Sequence, residues 1–570
     1  MTVSRTLLLL PLVGLMTCFS CSSPSASDPS DEPAPRIVNY INFFRQNDYR
    51  VADDIQLLYH AASEEVRLAR EYNLPATFLL QYDALIDPAY QKLLKDSLPE
   101  GCEIGGWWEI TKPHYEAVGE TWPFEQVWYP YDVKDFGIGH TPELRERLVD
   151  TYMAKFKEVF GQYPQSVGSW YMDSYTLNYM YEKYGIVASC VCKEQIGTDG
   201  YTLWGGYWGQ AFYPSKQDAH MPAQTEEGQI PVPVFRMLGS DPIYQYDHSL
   251  GGNGQGVITM EPVYGCAGSN RKWVDYFVES FMNEPCLQFG YVQIGQENSF
   301  GWPLIGQGLS MQVALLDSLR QEGRLVFKTL GESGRWFKEK NKVTPPTAVS
   351  CLTDVRDEGN QTVWFDSRFY RANLLWNPVG FRIRDIHKFD ETFVSRYHAE
   401  AATGTQLNYF TLPVVDGFLW STGDDRAGLY VVCQDGERVV LNSPQIQENL
   451  SEGTLTAVSK DNDGHSLTLS LTESTLTLHY DTRESWSLAL VAPRSENLPS
   501  IQVVDKTHLN MVSSEFPYSV TLLKGTFQSN AATGLYRIIP AHNTITLKMD
   551  LKSATKSYNA QFMCFLSPHC

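Results

Sequence analysis

Six polar side chains follow apolar runs within the first 340 residues, and five of the six are carboxylates. The set comprises Asp83, Glu109, His140, Asp173, Glu261 and Glu297. Carboxylates that lie among bulky apolar groups have a raised pKa, which is what a general acid requires. Two carboxylates placed across a glycosidic bond can hydrolyse it, since one protonates the leaving oxygen and the other attacks carbon or activates water. The residue types therefore favour acid–base chemistry on a sugar.

An α/β fold would bring these side chains together. Residues 36–340 alternate strand-like and helix-like stretches, such as the β-rich run Arg36–Phe44 and a long helix that Thr141 caps. Ser63 is predicted to cap an earlier helix, and Val257–Met260 is predicted to form a strand. This alternation predicts a parallel sheet closed into a (β/α) barrel, which places functional residues at the carboxyl ends of its strands.

The pattern changes after residue 340. A linker that contains lysine and proline leads into residues 347–570, where short alternating strands are separated by turn signals such as Asp461–Gly464. This region is predicted to form one or two all-β sandwich domains behind the barrel.

The overall charge of the chain argues against one class of partner and favours another. The 570 residues carry a formal net charge of −21 with a pI near 5.0, so nucleic acid is not an expected ligand. Aromatic residues reach 13%, which suits a neutral oligo- or polysaccharide that stacks on rings. Trp204 and Trp208 lie in a glycine-spaced stretch that reads as an exposed sugar-binding loop. The alternative is that these rings fill the interior of the protein.

The first residues are predicted to direct the chain to a membrane surface. Residues 1–21 combine Arg5, an apolar run and two cysteines, and residues 22–35 form a tether rich in Ser, Asp and Pro. This order resembles a bacterial lipoprotein signal, with Cys21 lipidated, or Cys18 as the alternative. The expected location is the bacterial cell envelope, at the outer membrane, with the lipid as the only membrane contact. A plain secretory signal is the other interpretation.

No cofactor or metal is predicted. The nine cysteines beyond the signal are scattered and odd in number, so they form no dense disulfide framework. Cys190 and Cys192 have no neighbouring histidine and no second cysteine pair, and they are interpreted as structural. No glycine-rich phosphate loop is present in the sequence.

Three segments resemble motifs of glycoside hydrolase family 57. They are Gly168–Ile186 with Asp173, Gly106–Thr111 with Glu109, and Gly295–Gly301 with Glu297. The resemblance covers residues 36–340 and is of the distant, superfamily kind. It implies a seven-stranded (β/α) barrel. At the position of the family's nucleophile this chain has Asp173 in place of Glu.

The resemblance and the strand-end positions together give a hypothesis for the site. Asp173 is the nucleophile and Glu297 the general acid/base of a retaining glycosidase, which requires carboxyl groups about 5–5.5 Å apart. The remaining predicted substrate-binding residues are Glu109, His140, Trp170, Trp204, Trp208 and Glu261, of which Glu261 is the next carboxylate to test.

Two other functions remain open. Gly137–Leu144 resembles the metal-binding segment of polysaccharide deacetylases in the same superfamily, but Leu144 stands where the second histidine is expected, and His140 alone holds no metal. The second alternative is a non-catalytic surface lipoprotein that binds glycans, for which no carboxylate pair is needed.

Overall fold

The computed structural model describes residues 33–550, except 49–50, 52–53, 129–132, 193, 199–200, 253, 405–406, 409–410, 514–515 and 530–534. The predicted signal over 1–21, both candidate lipidation sites and most of the tether lie outside the described residues. Among the described helices, none combines the length and the apolar composition that crossing a bilayer requires.

The first part of the chain alternates strands and helices. The strands are β1 (Arg36–Phe44), β2 (Ala76–Leu80), β3 (Glu103–Trp107), β4 (Ser166–Gly168), β5 (Ala188–Val191), β6 (Gln195–Thr198), β7 (Tyr201–Leu203), β8 (Ala211–Phe212), β9 (Val234–Arg236), β10 (Gly290–Ile294) and β11 (Val326–Phe327). The α-helices are α1 (Ile55–Glu71), α2 (Tyr82–Ile86), α3 (Pro88–Ser97), α4 (Lys112–Ala117), α5 (Pro142–Phe160), α6 (Ser174–Tyr184), α7 (Tyr244–Asp247), α8 (Arg271–Asn283), α9 (Trp302–Gln321) and α10 (Leu330–Lys340). Short 3₁₀ turns lie at Val133–Asp135, Gly137–Gly139, Asn298–Phe300 and Ser495–Asn497.

A nine-stranded sheet carries this part of the molecule. Its order is β10-β1-β2-β3-β4-β5-β9-β8, with β11 also paired to β1, and every pair is parallel except β8 with β9. The sheet curves into a nearly closed, barrel-like form. Within the described residues no backbone hydrogen bonds pair its two edge strands, β8 and β10. The Phe235 and Tyr291 rings, on β9 and β10, contact each other with centroids 5.0 Å apart. The mixed α/β class is as expected, whereas the seven strands remain a prediction.

Two predicted elements differ in the structure. The first helix begins at Ile55, because Asp54 accepts a hydrogen bond from the backbone N–H of Leu57, and Ser63 lies inside the helix with its hydroxyl bound to the Tyr59 carbonyl. Val257–Met260 forms no strand and contributes only the bridge of Thr259 to Ser240. The first difference is a local cap at Asp54 in place of Ser63, and in the second a single bridge replaces the expected strand.

The second part of the chain is antiparallel. Its strands are β12 (Thr347–Cys351), β13 (Gln361–Asp366), β14 (Tyr370–Asn377), β15 (Gly380–Lys388), β16 (Leu407–Asn408), β17 (Leu412–Asp416), β18 (Gly428–Cys433), β19 (Gln445–Asn449), β20 (Thr454–Lys460), β21 (Ser466–Leu471), β22 (Thr475–Tyr480), β23 (Trp486–Val491), β24 (Ser500–Val503), β25 (His508–Ser513), β26 (Phe516–Lys524), β27 (Thr526–Ser529), β28 (Tyr536–Ile539) and β29 (Thr544–Lys548). One sheet runs β12-β13-β14-β15-β18-β23-β28-β27 with β17 on β15, and another runs β19-β20-β21-β22-β29-β26-β25-β24. A small third sheet, β16-β7-β6, joins the two parts of the chain.

Candidate active site

A buried arginine at the carboxyl end of β1 organises the candidate site. Arg45 is 1% exposed. Its Nε and Nη2 donate to the two oxygens of Glu109, at 3.1 and 2.8 Å, and its Nη1 donates to Glu297. Nη1 also lies 3.4 Å from the Asp48 carboxylate. One guanidinium therefore binds three carboxylates.

Four neighbouring strands supply these groups. Glu297 follows β10, Arg45 follows β1, Gln81 follows β2 and Glu109 follows β3, and these strands are consecutive in the sheet. Because the pairs are parallel, the four carboxyl ends meet at one edge. The Gln81 amide donates to Glu109 Oε2 at 2.8 Å and completes the cluster.

The backbone after β10 is fitted closely to β1. The Arg45 N–H donates to the Asn298 side chain at 2.9 Å, and the Asn298 amide donates back to the Arg45 carbonyl at 2.8 Å. Gly295 has φ of +116°, and a Cβ at this position would overlap the Ile41 carbonyl oxygen. This close approach requires glycine, and it brings Glu297 beside Phe43 in a parallel bridge.

Three acidic groups in and near the site have a raised pKa, each mainly because it is buried. Burial raises the pKa of Glu109, the Arg45 charge opposes that rise, and the Glu297 charge adds to it. Burial raises the pKa of Asp83 to about 7, although the N–H groups of Ala84 and Asn47 donate to it. Burial also raises the pKa of Glu65 on α1, whose two carboxyl oxygens have no hydrogen-bond partner in the described part of the chain. Burial lowers the pKa of Arg45, but its carboxylate partners outweigh that effect, so it stays charged.

Three aromatic rings next to the Arg45 cluster, those of Phe43, Trp107 and Trp170, form an aromatic floor. The Phe43 and Trp107 rings stack with centroids 3.9 Å apart, and Trp170 meets both rings edge-on, at 5.2 and 5.6 Å. Trp170 is half-buried and lies two residues beyond the carboxyl end of β4. The Trp128 ring lies 4.0 Å from the Arg45 guanidinium carbon. A partly exposed ring near carboxylates is a suitable surface for a sugar.

Asp173, the predicted nucleophile, lies in a different cluster. Its Oδ1 accepts from the Thr176 N–H at 2.8 Å and its Oδ2 from the Thr176 hydroxyl at 2.7 Å, so it is the N-cap of α6. Arg145 donates to Oδ1 at 3.2 Å. Strands β1, β2 and β3 separate β4, which precedes Asp173, from β10, which precedes Glu297. Nothing in these contacts places Asp173 across a bond from Glu297.

His140 is buried on the Asp173 side of the site. Its Nε2 lies 2.9 Å from the Lys134 carbonyl oxygen, and burial lowers its pKa to about 4, so the ring is neutral at pH 7. Among the described residues, one group of His, Cys, Asp and Glu side chains is close enough together to bind a metal ion. It consists of Asp461, Asp463 and His465, in the antiparallel part of the chain. The described residues around His140 therefore do not include the set of ligands that a deacetylase metal site needs.

Glu261 lies beside the Arg45 cluster. Its Oε2 accepts from the Thr259 hydroxyl at 2.9 Å, and its Oε1 lies 3.3 Å from the Gln296 amide that donates to it. Gln296 is followed directly by Glu297, so this hydrogen bond places Glu261 at the border of the site.

The expectation that Trp204 and Trp208 are exposed is wrong. They are 2% and 1% exposed. The Trp204 indole donates to Asp416 at 2.8 Å, and Trp208 stacks on Trp364 with centroids 3.8 Å apart. Both rings are buried against residues of the antiparallel sheet and present no exposed face to a sugar. The glycines that suggested an open loop instead permit this close packing.

The sequence interpretation missed Arg45 and Gln81. A signal for Arg45 was available, because a charged residue directly follows the nine-residue strand Arg36–Phe44 at its carboxyl end. The partners of Arg45 are 64 and 252 residues away along the chain, and no local pattern predicts that pairing.

Comparisons with known proteins give distant structural similarities only. No protein-family model and no curated protein matches the chain. A Parabacteroides distasonis protein described as a glycoside hydrolase/deacetylase is 17% identical over 67% of this chain and 89% of its own, with a TM-score of 0.49. A polysaccharide deacetylase described from Mycobacterium smegmatis is 13% identical over 57% and 96%, with a TM-score of 0.34. A branching enzyme of the family 57 type from Pyrococcus horikoshii is 11% identical over 54% and 70%, with a TM-score of 0.28. With identities of 17% or less and TM-scores below 0.5, these similarities do not identify the reaction of this chain.

Proposed function

We propose that this chain is a carbohydrate-active enzyme that hydrolyses glycosidic bonds with the carboxyl groups of Glu109 and Glu297. The observation that carries this proposal is the guanidinium of Arg45, which binds both carboxylates at adjoining strand ends. Trp170 provides a half-buried ring on the same floor of aromatic side chains. The family that the sequence motifs resemble also uses two carboxyl groups, but the motifs place its nucleophile at Asp173 and not at Glu109 or Glu297.

The two carboxyl groups divide the work by their surroundings. The reaction needs one carboxyl group to protonate the leaving oxygen. Burial and the Glu297 charge favour Glu109 for this role because they raise its pKa, while the Arg45 charge opposes that rise. When protonated, Glu109 gives up one of the two hydrogen bonds that it accepts from Arg45. Glu297 attacks the anomeric carbon or activates water as the carboxylate that Arg45 holds in place. Arg45 positions both groups. This differs from the sequence hypothesis, in which Glu297 is the general acid/base and Asp173 the nucleophile.

The proposal is tested with Glu109→Gln and Glu297→Gln variants on a panel of defined polysaccharides. Reducing ends and acetate are measured in the same samples, and Glu322→Gln, an exposed glutamate on the outside of the barrel, is the matched control. We expect release of reducing ends to fall by about a hundredfold to ten-thousandfold in each site variant and to be unchanged in the control. Proton NMR of the first product then reports retention or inversion.

Two outcomes would overturn the proposal and identify another function. Release of acetate without reducing ends would indicate a deacetylase. Binding of a polysaccharide without release of either product, unaffected by Glu109→Gln and Glu297→Gln, would indicate a glycan-binding protein.

We also propose that the chain is anchored in the bacterial outer membrane by a lipid on Cys21. The support is the order of an apolar run, a cysteine and a polar tether in residues 1–35. Mass spectrometry of the mature N-terminus is expected to show a diacylglyceryl cysteine at position 21. A lipid on Cys18 would move the site, and an unmodified N-terminus beyond residue 21 would exclude the anchor.

A further inference from the structure

A cavity of about 450 Å³ lies away from the Arg45 cluster, between α7 and the first antiparallel sheet. Four arginines line it, Arg356, Arg382, Arg426 and Arg438, against two carboxylates, Asp247 and Glu358. The lining is therefore net positive in a chain whose net charge is −21. A cavity of this volume fits a sugar of one or two rings, because ligand sites commonly measure about 300–1,000 Å³.

Two of the four guanidiniums are held in place without using their N–H groups. The guanidinium carbon of Arg356 lies 3.8 Å from the centre of the Tyr244 ring, and that of Arg438 lies 3.8 Å from the centre of the Tyr430 ring. Neither side chain donates a hydrogen bond or meets a carboxylate within 4 Å among the described residues. Stacking fixes the plane of a guanidinium and leaves its edge for a bidentate anion.

The other two arginines define the rest of the cavity. Arg382 is committed, since it donates to Asp247 at 3.0 Å and to the Ala427 carbonyl at 2.7 Å. Arg426 donates to the Gly423 carbonyl at 2.9 Å and, within the described residues, has no carboxylate partner. Three guanidiniums are therefore available to an incoming negative charge.

The lining also carries groups that suit hydroxyls better than a bare ion. Asn360, Asn377 and Ser249 add amides and a hydroxyl to the lining. The Asn360 amide nitrogen already donates to Tyr244, whereas the amide nitrogen of Asn377 makes no hydrogen bond among the described residues. A second cavity of about 260 Å³ shares Arg356 and His248 with the first and adds Lys272 to its lining. The two cavities follow one another along the surface, as consecutive units of an oligosaccharide would.

We propose that these cavities form a binding site for an acidic oligosaccharide, whose carboxylate or sulfate group is held by Arg356 and Arg438. The site is separate from the Arg45 cluster, so it does not depend on the proposed hydrolysis. A polysaccharide bound here is held on the protein whether or not the barrel cleaves it.

The test is calorimetric titration of the full chain with four probes. They are a trigalacturonate, its methyl ester, a sulfated galactan oligosaccharide of equal length, and sodium sulfate. Arg356→Gln and Arg438→Gln are compared with wild type and with Arg494→Gln, which removes the same charge from a partly exposed arginine elsewhere. Thermal unfolding checks that each variant is folded, which is expected because Arg356 and Arg438 are exposed.

We expect at least one acidic oligosaccharide to bind wild type and Arg494→Gln equally. Arg356→Gln and Arg438→Gln should each weaken it by about tenfold to a hundredfold, the usual loss for a charged hydrogen bond. The methyl ester should bind about tenfold more weakly than the acid or worse. The Glu109→Gln variant should bind like wild type, which separates this site from the proposed active site.

Three results would overturn the inference. The first is that neither acidic oligosaccharide binds more tightly than the methyl ester. The second is that both arginine variants bind as wild type does. The third is that sodium sulfate at equal concentration displaces the bound oligosaccharide completely. The last result would indicate a small-anion site without sugar recognition.

Discussion

Arg45 and Glu109 form a two-point ion pair in which Nε and Nη2 of the guanidinium donate to the two carboxylate oxygens at 3.1 and 2.8 Å. Both residues are almost fully buried, and the same guanidinium also binds Glu297. This fork fixes the orientation of the Glu109 carboxyl plane. A lysine has the charge of Arg45 but lacks the planar fork, so charge and orientation can be tested separately.

Arg45→Met is expected to lower the free energy of unfolding by about 3–5 kcal/mol at pH 8, since it leaves buried carboxylates without their cation. The folded-state pKa of Glu109 is already raised and rises further without Arg45, so the variant is most stable at low pH and loses stability as pH rises. Urea unfolding at pH 5 and pH 8 measures both values. Arg45→Lys should retain most of the stability and still lose most of the activity. An equal loss in Arg45→Met at the two pH values would contradict this account.

Asp218 provides a pH-dependent contribution that a single variant can isolate. Burial raises its pKa to about 7, its Oδ1 accepts from the His220 N–H at 2.8 Å, and its Oδ2 has no partner among the described residues. A raised carboxyl pKa stabilises the fold below the unfolded pKa near 4, and this stability is lost as pH rises to about 7. Asp218→Asn keeps the acceptor and removes the ionisation. It should match wild type at pH 4 and exceed it by about 1–3 kcal/mol at pH 8 in urea unfolding. If the variant were less stable than wild type at pH 8, the ionised Asp218 carboxylate would instead make a stabilising interaction, and this account would be wrong.

The elements with strong local signals were predictable from the sequence. Arg36–Phe44 is β1 with the same bounds, and the helix predicted from the Thr141 cap is α5, which ends where Gly161 takes φ of +79°. The first helix and Val257–Met260 were misread because a cap at Asp54 and contacts made far along the chain decide them.

The site was predictable only in part, because sequence position names strand ends but not their partners. Glu109 and Glu297 were recognised as carboxylates after strands, and the structure brings them to one arginine. Asp173 fits the same rule, yet its oxygens serve Thr176 and Arg145. A carboxylate after a strand can cap the next helix or join the residues at neighbouring strand ends. Side-chain contacts between distant parts of the chain decide which, and these cannot be read from the sequence.

Trp170 and Trp208 form a matched pair for separating binding from stability. Trp208 is fully buried against Trp364, so Trp208→Ala is expected to cost about 3–5 kcal/mol of unfolding free energy. Trp170 is half-buried, and Trp170→Ala should instead raise KM about three- to tenfold with a smaller stability loss. Steady-state kinetics on a cleaved polysaccharide and thermal unfolding measure the two effects. Reversal of this order, with Trp208 controlling KM, would contradict the structure.

Asp173→Asn decides between the two assignments of the reacting groups. Asparagine is a good N-cap, so α6 keeps its first turn, while the ion pair with Arg145 is lost. Arg145 still donates to the carbonyls of Tyr397 and His140, at 2.7 and 2.8 Å, which keeps it hydrogen-bonded. We therefore expect an unfolding free energy lower by about 1–3 kcal/mol and a kcat within a few-fold of wild type. If Asp173 were the nucleophile, kcat would fall by several orders of magnitude with the same loss of stability, and the Arg45 cluster would have a structural role only.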